Sequence, residues 1–182
     1  MGGINPLRKR NALVVRTAPS NRARGFVSIG ALTVPAAIGR SGTTSRKREG
    51  DGATPIATMR VLSGFVRGDR LRALPPTALP LTRIASHMLW CDDPGHACYN
   101  RPVRAPFAPS HEVLARADGL YDICLVLDWN VTERRRHRGS AIFLHLIRPG
   151  YEPTAGCIAV SLRDMRRILP LLRRGSVVKV MG

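Results

Sequence analysis

The sequence predicts a mainly β, turn-rich domain, and three observations carry that reading. Fourteen prolines and 17 glycines in 182 residues are more punctuation than a helical bundle tolerates. Short apolar, often β-branched runs recur between clusters of turn formers, as strands do. A helical apolar period occurs only near the C-terminus. The length suits one domain with a sizeable core, spanning residues 1–182.

Ala12-Leu13-Val14-Val15, then Phe26-Val27-Ser28-Ile29, then residues 31–38 read as strands of an antiparallel meander, with Pro35 favouring an edge. Residues 39–55, rich in Gly, Ser, Thr and charge, read as a loop. A strand pattern resumes over 59–66, and the proline-rich stretch 74–80 continues neither a helix nor a central strand. Residues 90–109 mix Trp90 and Tyr99 with Asp92-Asp93-Pro94-Gly95 and Arg101-Pro102. The expectation is a long ordered insertion over the core, about 90–118, placed as a lid; connections of that length are often functional.

The last third is the most regular. Residues 121–129 and 141–147 are continuous apolar stretches expected to be buried strands, joined by a basic loop over 133–139. Ser161 followed three residues later by Asp164 resembles a capping box in its Asp form, so a helix starts there. Leu162, Met165, Ile168, Leu169 and Leu172 give it an inward face, and Pro170 shortens or kinks it. Val177-Val178-Lys179-Val180 closes the chain as a strand.

The formal charge of +17 brings anionic partners into view: nucleic acid, a membrane surface or a carboxylate-rich polymer. No acid precedes Glu49, while ten Lys and Arg do. No run approaches the roughly 18 apolar residues of a membrane-spanning helix, so no transmembrane segment is expected. Arg8-Lys9-Arg10 flanks an apolar stretch shorter than the about seven residues of a secretory signal. Four cysteines are too few for a disulfide-built miniprotein. Cys91 and Cys98 are near enough in sequence to bridge, and with His96 they raise zinc, but without a second Cys-x-x-Cys no metal site is expected. Cys124 reads as a small core residue, and His87, His111 and His137 as exposed.

One pair carries chemistry. His145 ends the run Ser140-Ala141-Ile142-Phe143-Leu144, and Cys157 follows a Pro/Gly turn and Thr154-Ala155-Gly156. A thiol beside an imidazole is a nucleophile with its base, and a helix start downstream also favours a thiolate. Gly156 lets backbone amides near Cys157 approach a developing oxyanion. Read from the residues alone, a structural Cys after Gly and a satisfied core His are equally open.

Thr154-x-Gly156-Cys157, with His145 before it and a helix carrying Asp164 after it, resembles the active-site signature of the YkuD-type L,D-transpeptidases. Lys47-Arg48-Glu49-Gly50-Asp51-Gly52-Ala53-Thr54-Pro55 resembles that family's Lys-x-x-Gly-Asp-x-x-Thr-Pro segment. The resemblance implies a mixed-sheet β-sandwich with a short helix after the cysteine, and no cofactor. It implies that Cys157 attacks the bond between the diamino acid and the terminal D-alanine of peptidoglycan stem peptides. His145 would act as base, a backbone carbonyl would orient its ring, and the acyl group would pass to an amine or to water. Thr154, Ala155 and Gly156 would shape the turn and oxyanion site. It also implies a periplasmic or envelope location, with a cytoplasmic one open for want of a visible signal.

Two positions depart from the pattern: Ala155 stands where a second His is usual, and Ala159 where Arg or Asn is common. Arg148, Tyr151 and Arg163 are the candidates to replace the lost substrate contact. Asn100 and Arg101, with Asp93 and Tyr99, are candidates to line the cleft from the insertion, or are simply turn formers. The rival readings are a basic module binding nucleic acid and a non-catalytic wall-binding relative. Scattered bases, few interleaved aromatics and no nucleic-acid-binding motif speak against the first, so no nucleic-acid partner is expected.

Overall fold

The computed structural model describes residues 12–182, so Arg8-Lys9-Arg10 lies outside the described residues. In chain order the strands are β1 (Leu13–Ala18), β2 (Asn21–Ile29), β3 (Leu32–Ala37), β4 (Thr43–Thr44), β5 (Thr54–Pro55), β6 (Thr58–Val66) and β7 (Leu81–Arg83). Then follow β8 (Met88–Cys91), β9 (Arg101–Arg104), β10 (His111–Val113), β11 (Ile123–Leu127), β12 (Phe143–Leu146), β13 (Ile158–Val160), helix α1 (Leu162–Ile168) and β14 (Val177–Val180). The expected meander is present, with β1, β2 and β3 pairing antiparallel in sequence order. Residues 39–55 are not purely loop, because β4 and β5 pair in parallel within them.

The main sheet is mixed, in the order β11-β12-β13-β3-β2-β1-β14-β6-β7. The mainly β, mixed-sheet architecture with one short helix is as expected; in detail β11 also pairs with β6, so eight strands form a closed ring with β7 appended. The nine-residue length of β6 makes this possible. Its first residues pair with β14, as in Arg60 with Val177, and its later ones with β11, as in Phe65 with Cys124. At Gly64 the neighbouring strands crowd in so closely that a Cβ would lie 2.6 Å from Leu81 and 2.8 Å from Leu125.

Burial along the strands explains the two kinds of pattern in the sequence. In β2 every second residue from Ala23 to Ile29 is buried, the alternation of a strand with one wet face. In β11 and β12 every residue is buried. Ile123, Leu125, Leu127, Leu144 and Leu146 join the core inside the ring, whereas Cys124, Val126 and Phe143 join a second cluster with Trp90, Leu114 and Tyr121. The continuous apolar runs arise because these strands are covered on both faces.

The outer cover is the predicted insertion, which carries secondary structure of its own: an antiparallel three-stranded sheet in the order β10-β8-β9. Trp90 of β8 meets Phe143 of β12 edge-on, with ring centroids 5.2 Å apart. Helix α1 starts where expected, with Ser161 Oγ accepting from Asp164 N at 3.0 Å. Met165, Ile168, Leu169 and Leu172 pack into the inner core, and Pro170 falls in a 3-10 turn over Leu169–Leu171 that ends the helix.

Candidate active site

Cys157 and His145 both line one cavity of about 400 Å³, on the outer face of the ring beneath the insertion. Their strands set this up. His145 and Phe143 share a face of β12, and β12 runs parallel to β13, which begins one residue after Cys157. The Cys157 thiol donates to Ala141 O at 3.1 Å and its sulfur accepts from Phe143 N at 3.3 Å. Cys157 is thereby tied to the strand that carries His145.

The His145 ring is only 5% exposed, and its Nδ1 lies 2.7 Å from Leu146 O. A carbonyl oxygen can only accept, so Nδ1 carries the proton and Nε2 is left as the basic nitrogen. The orienting carbonyl that the sequence leaves unnamed is that of the next residue. Burial lowers His145 from 6.5 to about 4. Burial also pushes the Cys157 thiol up to about 12, against the Phe143 amide, which favours the thiolate. The resting pair is therefore a neutral thiol and a neutral imidazole, not an ion pair.

The turn before Cys157 is fastened by hydroxyls. Thr154 Oγ1 donates to Cys157 O at 2.7 Å and accepts from Gly156 N at 3.1 Å. That spends the Gly156 amide on the turn instead of on an incoming oxyanion. Gly156 has φ +139°, and a Cβ there would lie 2.9 Å from Ala53 O, so only glycine fits. From below, Thr54 Oγ1 accepts from Gly39 N at 2.9 Å and donates to Cys157 O at 3.4 Å.

A family model for the YkuD L,D-transpeptidase catalytic domain matches residues 10–180. The chain belongs to the L,D-transpeptidase family. Among solved structures, the crystal structure of Mycobacterium tuberculosis L,D-transpeptidase 1 at 1.89 Angstrom is similar at 17% identity, with a TM-score of 0.39. That match covers 94% of this chain and 63% of that one, so this L,D-transpeptidase chain spans less than two thirds of that relative's length. Among curated proteins nothing matches it.

In this L,D-transpeptidase domain the Lys-x-x-Gly-Asp-x-x-Thr-Pro segment buttresses Cys157. Buried Lys47 donates Nζ to Asp51 and to Arg48 O, and Asp51 in turn accepts from Arg48 N and Ala53 N. Burial acts to raise Asp51, but these hydrogen bonds outweigh it and hold the carboxyl below its usual value. The segment presents Thr54 to the Cys157 carbonyl and Ala53 O to Gly156. Glu49 accepts from Tyr99 Oη and from Ser140 Oγ, joining the insertion to the residue before Ala141.

The other residues singled out in the sequence scatter. Arg148 lines the cavity, paired with Asp118 at 3.5 Å and Glu152 at 3.6 Å. Tyr151 is outside it, its ring under the Arg24 guanidinium at 5.4 Å, and Arg163 is exposed on α1. Arg101 is exposed on β9. Asn100 is 1% exposed and does not face the cleft: Oδ1 accepts from Trp90 Nε1 and Ala141 N, and Nδ2 donates to Trp129 O, each at 3.0 Å. Asp93 and Tyr99 likewise stay out of the cavity lining. Ala155 and Ala159 both line it, Ala159 in register with His145, so small methyls stand where the family pattern has larger polar groups. Cys91, Cys98 and Cys124 are free thiols. His87 and His137 are exposed, whereas His111 is half-buried with Nδ1 2.7 Å from Pro109 O.

The sequence reading missed the far wall of the cavity: Asp92, Glu112, Arg116 and Tyr121. Tyr121 meets the His145 ring edge-on at 5.3 Å, lies under Arg116 at 5.1 Å, and reaches Glu112 with its hydroxyl at 3.2 Å. Its place at the head of a strongly apolar strand was the available signal, because a buried phenol needs a partner.

Proposed function

We propose that this domain is a peptidoglycan L,D-transpeptidase that uses Cys157 as nucleophile and His145 as base. The reading is carried by one observation: a thiol and an imidazole with a free Nε2 share a cavity under an insertion. The Cys157 sulfur attacks the carbonyl between the diamino acid and D-alanine as His145 Nε2 takes the thiol proton. Collapse breaks the C–N bond, and the imidazolium returns that proton to the leaving D-alanine amine. An acceptor amine, or water, then attacks the thioester, its proton passes to His145, and the free thiol is restored.

The domain is read as a single catalytic unit with residues 90–118 as its lid. Its substrate places its work in the periplasm or cell envelope, where family members usually act. No helix among the described residues is long and apolar enough to cross a membrane.

Intact-mass measurement after incubation with a stem tetrapeptide, or with a carbapenem, tests the reading. An acyl adduct on Cys157 with release of D-alanine is expected. Cys157→Ala removes both, and His145→Ala slows acylation by about 10² to 10⁴. Turnover that survives Cys157→Ala rejects the mechanism. The net charge of +17 favours one alternative, a basic binding module. Salt-sensitive retention on DNA without any adduct would be its signature.

A further inference from the structure

Five arginines fall between residues 163 and 174, and the fold turns all of them to solvent. Met165 and Ile168 of α1, with Leu169 and Leu172 beyond it, pack into the core inside the ring. Arg163, Arg166 and Arg167 recur at the i, i+3, i+4 spacing of the opposite side of the helix. Arg173 and Arg174 follow just past the 3-10 turn. Between the two groups that turn presents exposed Pro170 and Leu171. Leu171 is 53% exposed, more than any other large apolar side chain among the described residues.

The chain supplies no counter-charge for this patch. Asp164 is the sole acid after Glu152, and it is buried, bonded to Ser161 and to Arg167 at 3.2 Å. The other four arginines have no ionic partner among the described residues. Exposed Arg60 adds a cation beside them, its Nη1 donating to Gly175 O at 3.4 Å. Like charges held together repel, and an anionic surface relieves them.

The aliphatic tip among the guanidiniums selects the kind of anion. It suits a surface with phosphates outside and hydrocarbon beneath, where arginines sit at headgroup level and the leucine enters the acyl boundary. Residues 161–176 contain no aromatic ring on which a nucleic-acid base could stack. A second copy of the chain would bring positive charge against positive charge. None of the arginines of the patch lines the cavity of Cys157 and His145, so a surface seated here leaves that cavity free.

We propose that the outer side of α1 and the turn after it form a docking surface for an anionic phospholipid bilayer. Leu171 enters the interface and the arginines pair with lipid phosphates, so the domain lies on the membrane. The proposal is independent of the chemistry at Cys157.

Sedimentation of the full chain with vesicles tests it. Vesicles of equimolar phosphatidylcholine and phosphatidylglycerol are compared with phosphatidylcholine alone, at low and at physiological salt. Binding at least about tenfold tighter to the anionic vesicles, and weakened by salt, is expected. Because a net charge of +17 draws the chain to any anionic surface, the deciding comparison removes the same number of charges from two places. Arg163→Gln/Arg166→Gln/Arg173→Gln/Arg174→Gln should lose at least about tenfold. Arg16→Gln/Arg22→Gln/Arg104→Gln/Arg136→Gln, at exposed positions elsewhere, should lose less than about threefold. Arg173→Gln/Arg174→Gln, expected to give part of the loss, stands in if the fourfold variant does not fold. Leu171→Ser keeps every charge and should weaken binding to vesicles while leaving retention on duplex DNA unchanged. Equal losses in the two fourfold variants, or native vesicle binding in Leu171→Ser, overturn the docking surface. Tighter binding to duplex DNA than to vesicles, lost with the same four arginines, assigns the patch to nucleic acid and overturns it as well.

Discussion

The two walls of the cavity are built on opposite principles. The ring side, which carries the sulfur and the imidazole, is fixed by neutral hydrogen bonds to backbone: Ala141 O and Phe143 N on Cys157, Leu146 O on His145, and two threonine hydroxyls on the Cys157 carbonyl. The insertion side is charged, with Asp92, Glu112 and Arg116, and is backed by the ion pairs of Asp118. Burial explains the division. A charge is costly at a buried position, so the Cys157 thiol and the His145 imidazole rest neutral. Carboxylates and guanidiniums at the rim can be partly solvated or paired, and suit recognition.

Asn100 is one place where the two walls are joined, and breaking it should have the largest effect. Its amide links Trp90 of the insertion with the Ala141 amide and the Trp129 carbonyl of the ring side. Asn100→Ala leaves a buried indole N–H and a buried backbone N–H without partners, at about 1–3 kcal/mol each. A loss of about 3–4 kcal/mol in chemical unfolding is expected. Acylation should fall as well, because Ala141 holds the thiol and sits at φ +50°, a conformation an alanine keeps only under constraint. Unchanged unfolding midpoints with unchanged acylation would show the two walls to be independent.

The neutrality of the ring wall can be read from pH. His145 falls from 6.5 to about 4 in the folded protein because burial disfavours its charged form. Between those values the unfolded chain binds a proton that the folded one refuses, so stability is complete above about pH 6.5 and is lost as pH falls toward 4. The full loss corresponds to about 3 kcal/mol. Denaturant midpoints measured from pH 7.5 to 4 should slope downward in the native chain, and less so in His145→Gln. Equal slopes would mean that the folded imidazole takes up a proton as readily as the unfolded one.

The strands were legible in the sequence because their burial is local and periodic: β2 alternates, β11 and β12 are continuously apolar, and Ser161 caps α1. Cys157 and His145 stand out in the sequence through the resemblance of Thr154-x-Gly156-Cys157 to a family signature, and the fold brings both to one cavity. Closure of the sheet was not legible, since it depends on one strand, β6, pairing with β14 and β11, far from it in sequence. Nor was the charged wall. Asp92 and Glu112 are twenty positions apart and reach one cavity only because β8 pairs with β10, and Asp92 stands in a run that reads as an ordinary turn. Asn100 reads as a candidate to line the cleft because it is a polar group in the long insertion. Its burial follows from a left-handed backbone at φ +56° and three partners that only the fold assembles.

The finest distinction lies within the ring wall, between the two threonines on the Cys157 carbonyl. Thr154 donates at 2.7 Å from a partly open position, whereas Thr54 is fully buried, at 3.4 Å. Thr54 has a second task, accepting from the Gly39 amide at 2.9 Å. Thr54→Val keeps the shape, removes both bonds and leaves that amide unpaired in the interior, so a loss of about 1–2 kcal/mol is expected. Thr154→Val frees the Gly156 amide beside the cavity, where water can reach its neighbour Ala155, and should cost less stability while changing acylation more. Chemical unfolding and acyl-adduct rates measured on the same two variants separate the roles. Equal effects on both readouts would mean that the hydroxyls are interchangeable, and that the Lys-x-x-Gly-Asp-x-x-Thr-Pro segment serves the fold no more than the chemistry.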